Sequence, residues 1–142
     1  MHYKKTFWIV FREGDFAIKR LFKRGFGHVY AITKDDFNWI GIDPQNRFLR
    51  FEILPYKTDQ DVAAAILNAG SCKILEVEID GLESHMFSLN PISLLNCVSQ
   101  IKYLLGLRVL AQTPYRLYRR LLRMRDKNNY KYPIKSVTEL GG

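Results

Sequence analysis

The chain has 142 residues, of which 47% are hydrophobic and 13% aromatic, so it can bury a core and is too apolar to be disordered. Its formal net charge is +8, and no apolar run approaches the roughly 20 residues that a membrane-spanning helix requires. Acidic and basic side chains balance over residues 1–100, so the whole excess of positive charge lies in residues 101–142. This asymmetry indicates a polyanionic partner, nucleic acid included, or an acidic protein surface.

The apolar run at residues 7–11 is too short for a signal-peptide core and has no small-residue cleavage site after it. We therefore expect a protein that folds in a cytoplasm. The two cysteines, Cys72 and Cys97, are too few for a disulfide framework, and no Cys/His cluster has zinc-ligand spacing. We expect free thiols, with neither a metal nor a cofactor.

The first 80 residues predict strands, with a short amphipathic helix at 15–24 and a second helix at 59–69, which Asp59 or Asp61 can cap and Gly70 ends. Aromatic and β-branched runs on either side of Lys34-Asp35-Asp36 predict a hairpin. The predicted strands cover residues 7–12, 26–33, 37–43, 48–54 and 73–79.

The rest of the chain predicts a long polar loop at 80–95 and two helices. Asn96 can cap a helix from Cys97 to about residue 105, and Thr113 caps a basic helix at 114–125 with Pro114 in its first turn. Residues 126–142 resemble a weakly ordered tail. The sequence thus predicts one α+β domain over residues 1–125, an antiparallel sheet with packed helices.

Cys97 is the leading candidate for a nucleophile. A helix N-terminus favours the thiolate, and its unpaired backbone N–H groups can bind an oxyanion. The apolar face of the same helix favours the alternative that Cys97 is a small buried hydrophobic residue. Cys72 is a competing nucleophile, but it lies at a strand start without a helix N-terminus.

His28 is the candidate base, because a cysteine nucleophile needs one. Pairing of the hairpin strands around Lys34-Asp35-Asp36 places His28 opposite Asp43, a carboxylate that could orient the imidazole. A slip of one residue in this register would move the two side chains to opposite faces. His28 could equally be a half-buried strand residue, and Asp43 a turn cap before Pro44. His85 is the fallback base, and His2 is expected to be solvated.

The order of these motifs carries a resemblance to a known family. Gly27-His28-Val29-Tyr30, Ile42-Asp43-Pro44 and Asn96-Cys97-Val98, followed by Leu105-Gly106 and Thr113-Pro114-Tyr115, resemble the circularly permuted papain-like (NlpC-type) cysteine hydrolases, small phage-encoded members above all. The resemblance covers roughly residues 26–122 and implies a permuted papain-like fold. It also implies a cysteine that attacks an amide, ester or thioester carbonyl, with the histidine acting as base and then acid.

The predicted helix at 114–125 has a basic face. At 100° per residue, four arginines fall within about 100° of arc, opposite an apolar face formed by Leu117, Tyr118, Leu121 and Leu122. The basic residues are Arg116, Arg119, Arg120 and Arg123. Guanidinium groups suit phosphates and carboxylates, although a merely solvated basic face remains the alternative.

Three hypotheses follow for the function. The first is a cysteine hydrolase of an amide or related acyl bond, cell-wall peptide included, with Cys97, His28 and Asp43 as its catalytic residues. The second is a non-catalytic structural or interaction module, such as a virion component that binds other virion proteins. The third is a protein that binds nucleic acid without sequence preference through its arginine-rich helix. A phage-encoded protein would act in the host cytoplasm or in the virion.

Overall fold

The fold is built on one six-stranded sheet in which every neighbouring pair of strands is antiparallel. The computed structural model describes residues 4–14, 23–45, 48–70, 72–80, 97–131 and 133–141. The strand order is β4-β3-β2-β1-β5-β6, so β4 and β6 are the edges. The strands are β1 (Lys4–Arg12), β2 (His28–Lys34), β3 (Trp39–Pro44), β4 (Leu49–Leu54), β5 (Cys72–Asp80) and β6 (Ile134–Leu140).

Helices cover both faces of the sheet. The helices are α1 (Val62–Ala69), α2 (Cys97–Leu104) and α3 (Pro114–Asp126). Because side chains alternate along a strand, Phe7, Ile9 and Phe11 of β1 pack with the buried residues of α2 and α3. Trp8 and Val10 of the same strand point to the other face, where α1 covers them. None of the helices in the described ranges is long and apolar enough to cross a membrane.

The predicted fold class, an α+β permuted papain-like fold, is wrong. In the described ranges 40% of the residues lie in strands and only 26% in helices, so the fold is sheet-rich. Of the three helices in the part of the chain that the structure describes, two have only eight residues, whereas β1 and β5 have nine residues each. The sequence underestimates the length of these strands, because β1 and β5 pair along their full lengths and so include polar residues beyond their apolar centres.

The predicted tail at 126–142 is also wrong. Residues 134–140 form β6, which pairs with β5, so the domain does not end at residue 125. Ile134 and Val137 are buried there, and Glu139 accepts a hydrogen bond from the Tyr118 hydroxyl of α3. Apolar and polar residues alternate only briefly in this segment, so its basic and polar residues favoured the prediction of a tail over that of a strand.

Most of the predicted helix boundaries in the described ranges are confirmed. Asp61 caps α1, and the Thr113 side chain caps α3 ahead of Pro114. Gly106 ends α2 with a φ of 64°, a conformation that favours glycine. Residues 15–22 of the predicted helix at 15–24, most of the loop at 80–95, and the residues Asn96, His85 and His2 lie outside the described ranges.

Candidate functional site

His28 and Asp43 form the closest polar contact of the site. His28 is the first residue of β2, and its Nε2 lies 2.6 Å from Oδ1 of Asp43 near the end of β3. Both side chains are largely shielded, with 17% and 25% of their surface exposed. A carboxylate at Nε2 fixes the tautomer with the proton on that nitrogen, so Nδ1 is the basic nitrogen of the neutral ring.

The contact arises from a different register than the one predicted. In the hairpin Ala31 faces Ile42 and Lys34 faces Trp39, so its extension places His28 opposite Gln45 rather than Asp43. The shift has a cause in the turn, where the Asp35 carboxylate accepts hydrogen bonds from the backbone N–H groups of Phe37 and Asn38. These bonds centre the turn one residue later than predicted. A shift of two residues preserves the face of the sheet, so His28 meets Asp43 diagonally.

Gln45 is a residue of this site that the sequence analysis missed. Its Nε2 donates a hydrogen bond of 2.8 Å to Oδ2 of Asp43, the oxygen that His28 does not use. The Asp43 carboxylate is therefore held from two sides. The correct hairpin register would have identified Gln45, because extension of that register places Gln45 opposite His28.

Two glycines set the backbone just before His28. A Cβ atom on Gly27 would lie 2.3 Å from the backbone nitrogen of Gly14, so no larger residue fits where the two segments cross. The Gly27 N–H also donates a hydrogen bond to the Arg12 carbonyl. These contacts fix the point where β2 begins, and with it the position of His28.

Cys97 lies at the first residue of α2, which packs against β2 and β3. Cys97 packs against the buried cluster that contains Val29, the residue that follows His28 directly, and the Val29 backbone N–H lowers the pKa of the thiol. The Asp43 carboxylate is also close enough for its charge to act on the thiol and raise its pKa. Cys97 packs with the core on the α2 face of the sheet, whereas His28 stacks on Tyr30, which packs with the residues of the α1 face.

The electrostatic environment of Cys97 differs from the one predicted. Burial raises the pKa of the Cys97 thiol above its ordinary value, and the Asp43 charge raises it further. The backbone N–H groups of Val29, Val98 and Cys97 lower the pKa, but they do not offset burial. The N–H groups at the start of α2 favour the thiolate, as expected of a helix N-terminus, but desolvation outweighs them.

Cys72 lies on the face of the sheet that α1 covers, opposite to the face on which Cys97 packs. It packs with the residues around α1, and its sulfur lies 3.8 Å from the Ile66 carbonyl oxygen. Burial raises the pKa of its thiol too. Cys72 and His28 both pair with Arg12 of β1, so they point to the same face of the sheet and are separated by one strand. Cys97 differs in that α2, which it begins, packs directly against β2 and β3, the strands that carry His28 and Asp43.

The four arginines on the basic face of α3 differ in their exposure to solvent. Arg116, Arg119 and Arg123 are exposed, while Leu117, Tyr118 and Leu121 are buried on the opposite face. Arg120 differs from the other three arginines because it is half-buried, and its Nε has no hydrogen-bond partner in the described ranges. Three arginines rather than four thus form the fully exposed basic surface of this helix.

In the described ranges no group of three or more His, Cys, Asp or Glu side chains could hold a metal ion. Comparison of the chain with protein-family models, with curated proteins and with solved structures gives no match. The resemblance of its motifs to NlpC-type cysteine hydrolases stays a prediction.

Proposed function

We propose that the protein is a cysteine hydrolase that cleaves an amide or related acyl bond, with Cys97 as nucleophile and His28 as general base and acid. Asp43 orients the imidazole. The observation that carries this proposal is the packing of α2, whose first residue is Cys97, against β2 and β3, the strands that carry His28 and Asp43. The 2.6 Å contact between His28 and Asp43 supplies the third group.

The chemistry follows from the protonation states of the three groups. Nδ1 of His28 takes the thiol proton as the sulfur attacks the carbonyl carbon, and Asp43 stabilises the imidazolium through Nε2–H. The imidazolium then donates that proton to the leaving group as the scissile bond breaks, which leaves an acyl group on the sulfur. A water molecule, deprotonated by His28, attacks this thioester, and the thiol is regenerated when its sulfur takes the proton back.

The raised pKa of the Cys97 thiol supports the need for a base. A buried thiol is protonated at neutral pH and is then a poor nucleophile. Proton transfer to His28 during the attack removes this obstacle without requiring a resting thiolate. The backbone N–H group of Cys97 at the start of α2 is the donor that would stabilise the oxyanion.

Acylation by a small activated ester tests this proposal. With p-nitrophenyl acetate we expect a burst of one nitrophenolate per chain and an acetyl group on Cys97, detected by mass spectrometry of the intact protein and its peptides. Cys97→Ser removes the burst, and Cys72→Ser is the matched control that keeps it. His28→Ala slows the burst by about 10². Acetylation that is equal at both cysteines, or unaffected by His28→Ala, would contradict the proposal.

We also propose that the exposed arginines of α3 bind an anionic polymer, of which nucleic acid is the class that can be probed directly. The observation in its favour is that Arg116, Arg119 and Arg123 are all exposed on a helix whose other face is anchored in the core. Such binding is independent of sequence and weakens steeply with salt, because phosphate neutralisation releases counterions.

Binding to a mixed-sequence DNA duplex tests the second proposal. Replacement of Arg119 and Arg123 by Gln should weaken binding and reduce the slope of log K against log salt by about 2. The control replaces Lys57 and Lys73, which are exposed elsewhere on the surface, and should change the slope little. Equal effects of both pairs would show that net charge alone is responsible and would contradict a site on α3.

A further inference from the structure

We propose that β4 pairs with β4 of a second copy of this chain, antiparallel and about a two-fold axis through Phe51. The proposal starts from the position of β4 at one edge of the sheet. The other edge strand, β6, is packed against α3. An exposed, regular edge strand is a template for pairing with another chain unless charges, prolines or bulges protect it.

The side chains of β4 are unusually apolar for an exposed edge. Phe51 is 65% exposed, Ile53 69% and Leu49 40%, although all three belong to a regular strand. They share one face of the sheet, because they face Ile42, Ile40 and Pro44 of β3 in the register of that pair. No proline and no register irregularity interrupts β4 where it pairs with β3. The strand therefore lacks the prolines and bulges that usually block edge pairing, and its two charged side chains, Arg50 and Glu52, have opposite signs.

The backbone of β4 is prepared for a two-fold pairing at Phe51. The Gln45 N–H donates to the Phe48 carbonyl, and hydrogen-bonded and non-hydrogen-bonded pairs alternate from that point along β3 and β4. Arg50 and Glu52 therefore direct their backbone groups towards β3. The N–H and C=O groups of Leu49, Phe51 and Ile53 point to the open edge, where they can bond a partner strand.

Charge selects one register among those that keep the apolar residues on a common face. With the two-fold axis at Phe51, Arg50 faces Glu52 of the other copy, and Leu49 faces its Ile53. A shift of the axis to Arg50 would place two arginines opposite each other, and a shift to Glu52 would do the same for two carboxylates. Like charges directly opposite are destabilising, whereas opposite charges stabilise a cross-strand pair. β4 is thus complementary to itself in one register.

The opposite charges of Arg50 and Glu52 allow single variants that should weaken the dimer and a double variant that should restore it. Arg50 and Glu52 already form an ion pair of 3.1 Å within one chain, and both are exposed, so exchanging them leaves the monomer intact. The single variant Arg50→Glu places carboxylates opposite each other in the dimer, and Glu52→Arg does the same with guanidiniums. The double variant with both substitutions restores opposite charges.

The experiment measures molar mass by sedimentation equilibrium over a range of protein concentrations, with circular dichroism as the check on folding. We expect wild type and the double charge exchange to reach twice the chain mass. Each single charge variant and Phe51→Lys should raise the dimer dissociation constant at least tenfold. The matched control is Phe37→Lys, whose side chain is 83% exposed in the turn before β3 and which should dimerise like wild type.

A cross-link fixes the register independently of affinity. In a hydrogen-bonded antiparallel pair, facing Cα atoms lie about 5.5 Å apart, within the range that a disulfide spans. Phe51→Cys should therefore form an interchain disulfide under mild oxidation, while Phe37→Cys should not. A chain that is monomeric at all concentrations, or a dimer that Phe51→Lys leaves unchanged, would overturn the proposal. Failure of the double exchange to restore the dimer would overturn its register.

Discussion

At the scale of single residues, the candidate site depends on a carboxylate that is held from two directions. Asp43 accepts a hydrogen bond from Gln45 on one oxygen and contacts His28 with the other. This arrangement restricts rotation of the carboxylate and so keeps Nε2 of His28 in one tautomer. The orientation of Nδ1, the nitrogen that must take the thiol proton, therefore depends on Asp43 and indirectly on Gln45.

Replacement of the carboxylate should impair the imidazole without disturbing the fold. We expect Asp43→Asn to reduce the rate of Cys97 acylation by p-nitrophenyl acetate by about 10², because the amide no longer stabilises the imidazolium. Gln45→Ala leaves the carboxylate in place and should have a smaller effect. An Asp43→Asn protein with the wild-type rate would exclude an orienting role for this residue.

Tyr118 links α3 to β6 and should make stability depend on alkaline pH. Burial, together with its hydrogen bond to Glu139, raises the pKa of Tyr118 to about 12. The unfolded tyrosine ionises near 10, so the folded state holds this proton more tightly. The contribution of Tyr118 to stability is therefore complete below pH 10 and is lost as the pH rises towards 12.

Urea unfolding at pH 9 and pH 11 measures this dependence. Wild type should lose stability between the two values, and Tyr118→Phe should lose clearly less. Tyr115→Phe is the control, since the neighbouring Lys23 lowers the pKa of Tyr115 rather than raising it. The same pH dependence in wild type and Tyr118→Phe would show that other groups cause it.

At the scale of secondary structure elements, the sequence predicted the features that depend on local periodicity, such as the face of a strand on which a side chain lies. It did not predict the features that depend on turn geometry, such as the register of the hairpin. The alternation of side chains placed His28 and Asp43 on one face, and that parity survived a register error of two residues. The error itself came from the Asp35 carboxylate, whose two hydrogen bonds to the following backbone shift the turn. Gln45 was missed for the same reason.

Capping of α3 is an element whose energetic contribution can be measured. The Thr113 side chain accepts a hydrogen bond from the Arg116 N–H at 3.3 Å. Thr113→Ala should lower the free energy of unfolding by about 1 kcal/mol, as loss of an N-cap typically does. Thr113→Ser should keep most of the wild-type stability, because serine also caps helices. Equal stability of the alanine variant and wild type, measured by urea unfolding, would show that Pro114 and the packed face suffice to fix the helix start.

At the scale of the whole molecule, the fold depends on long-range pairing that local patterns did not indicate. β5 pairs with β1 on one side and with β6 on the other. The last described strand in chain order is therefore joined to the first through β5. The basic and polar residues of the last segment suggested a solvated tail. Its buried residues, Ile134 and Val137, are too few to signal a strand without the partner β5.

The contribution of β6 to the domain can be tested by truncating one of its buried side chains. Ile134 is 1% exposed, so Ile134→Ala should reduce the free energy of unfolding by about 2–5 kcal/mol. Thr138 is exposed on the same strand, and Thr138→Ala should change it by less than about 0.5 kcal/mol. If residues 134–140 did not pack on the sheet, both substitutions would be neutral in chemical denaturation.

The proposed activity requires that a buried thiol and an imidazole from distant parts of the chain exchange a proton. Alkylation of Cys97 by iodoacetamide, followed across pH in a Cys72→Ser background, measures this coupling most directly. We predict measurable alkylation near neutral pH in that background, and with His28→Ala a reaction that requires alkaline pH, because burial raises the pKa of an unassisted thiol. Identical pH profiles with and without His28 would contradict the coupling on which the proposed mechanism rests.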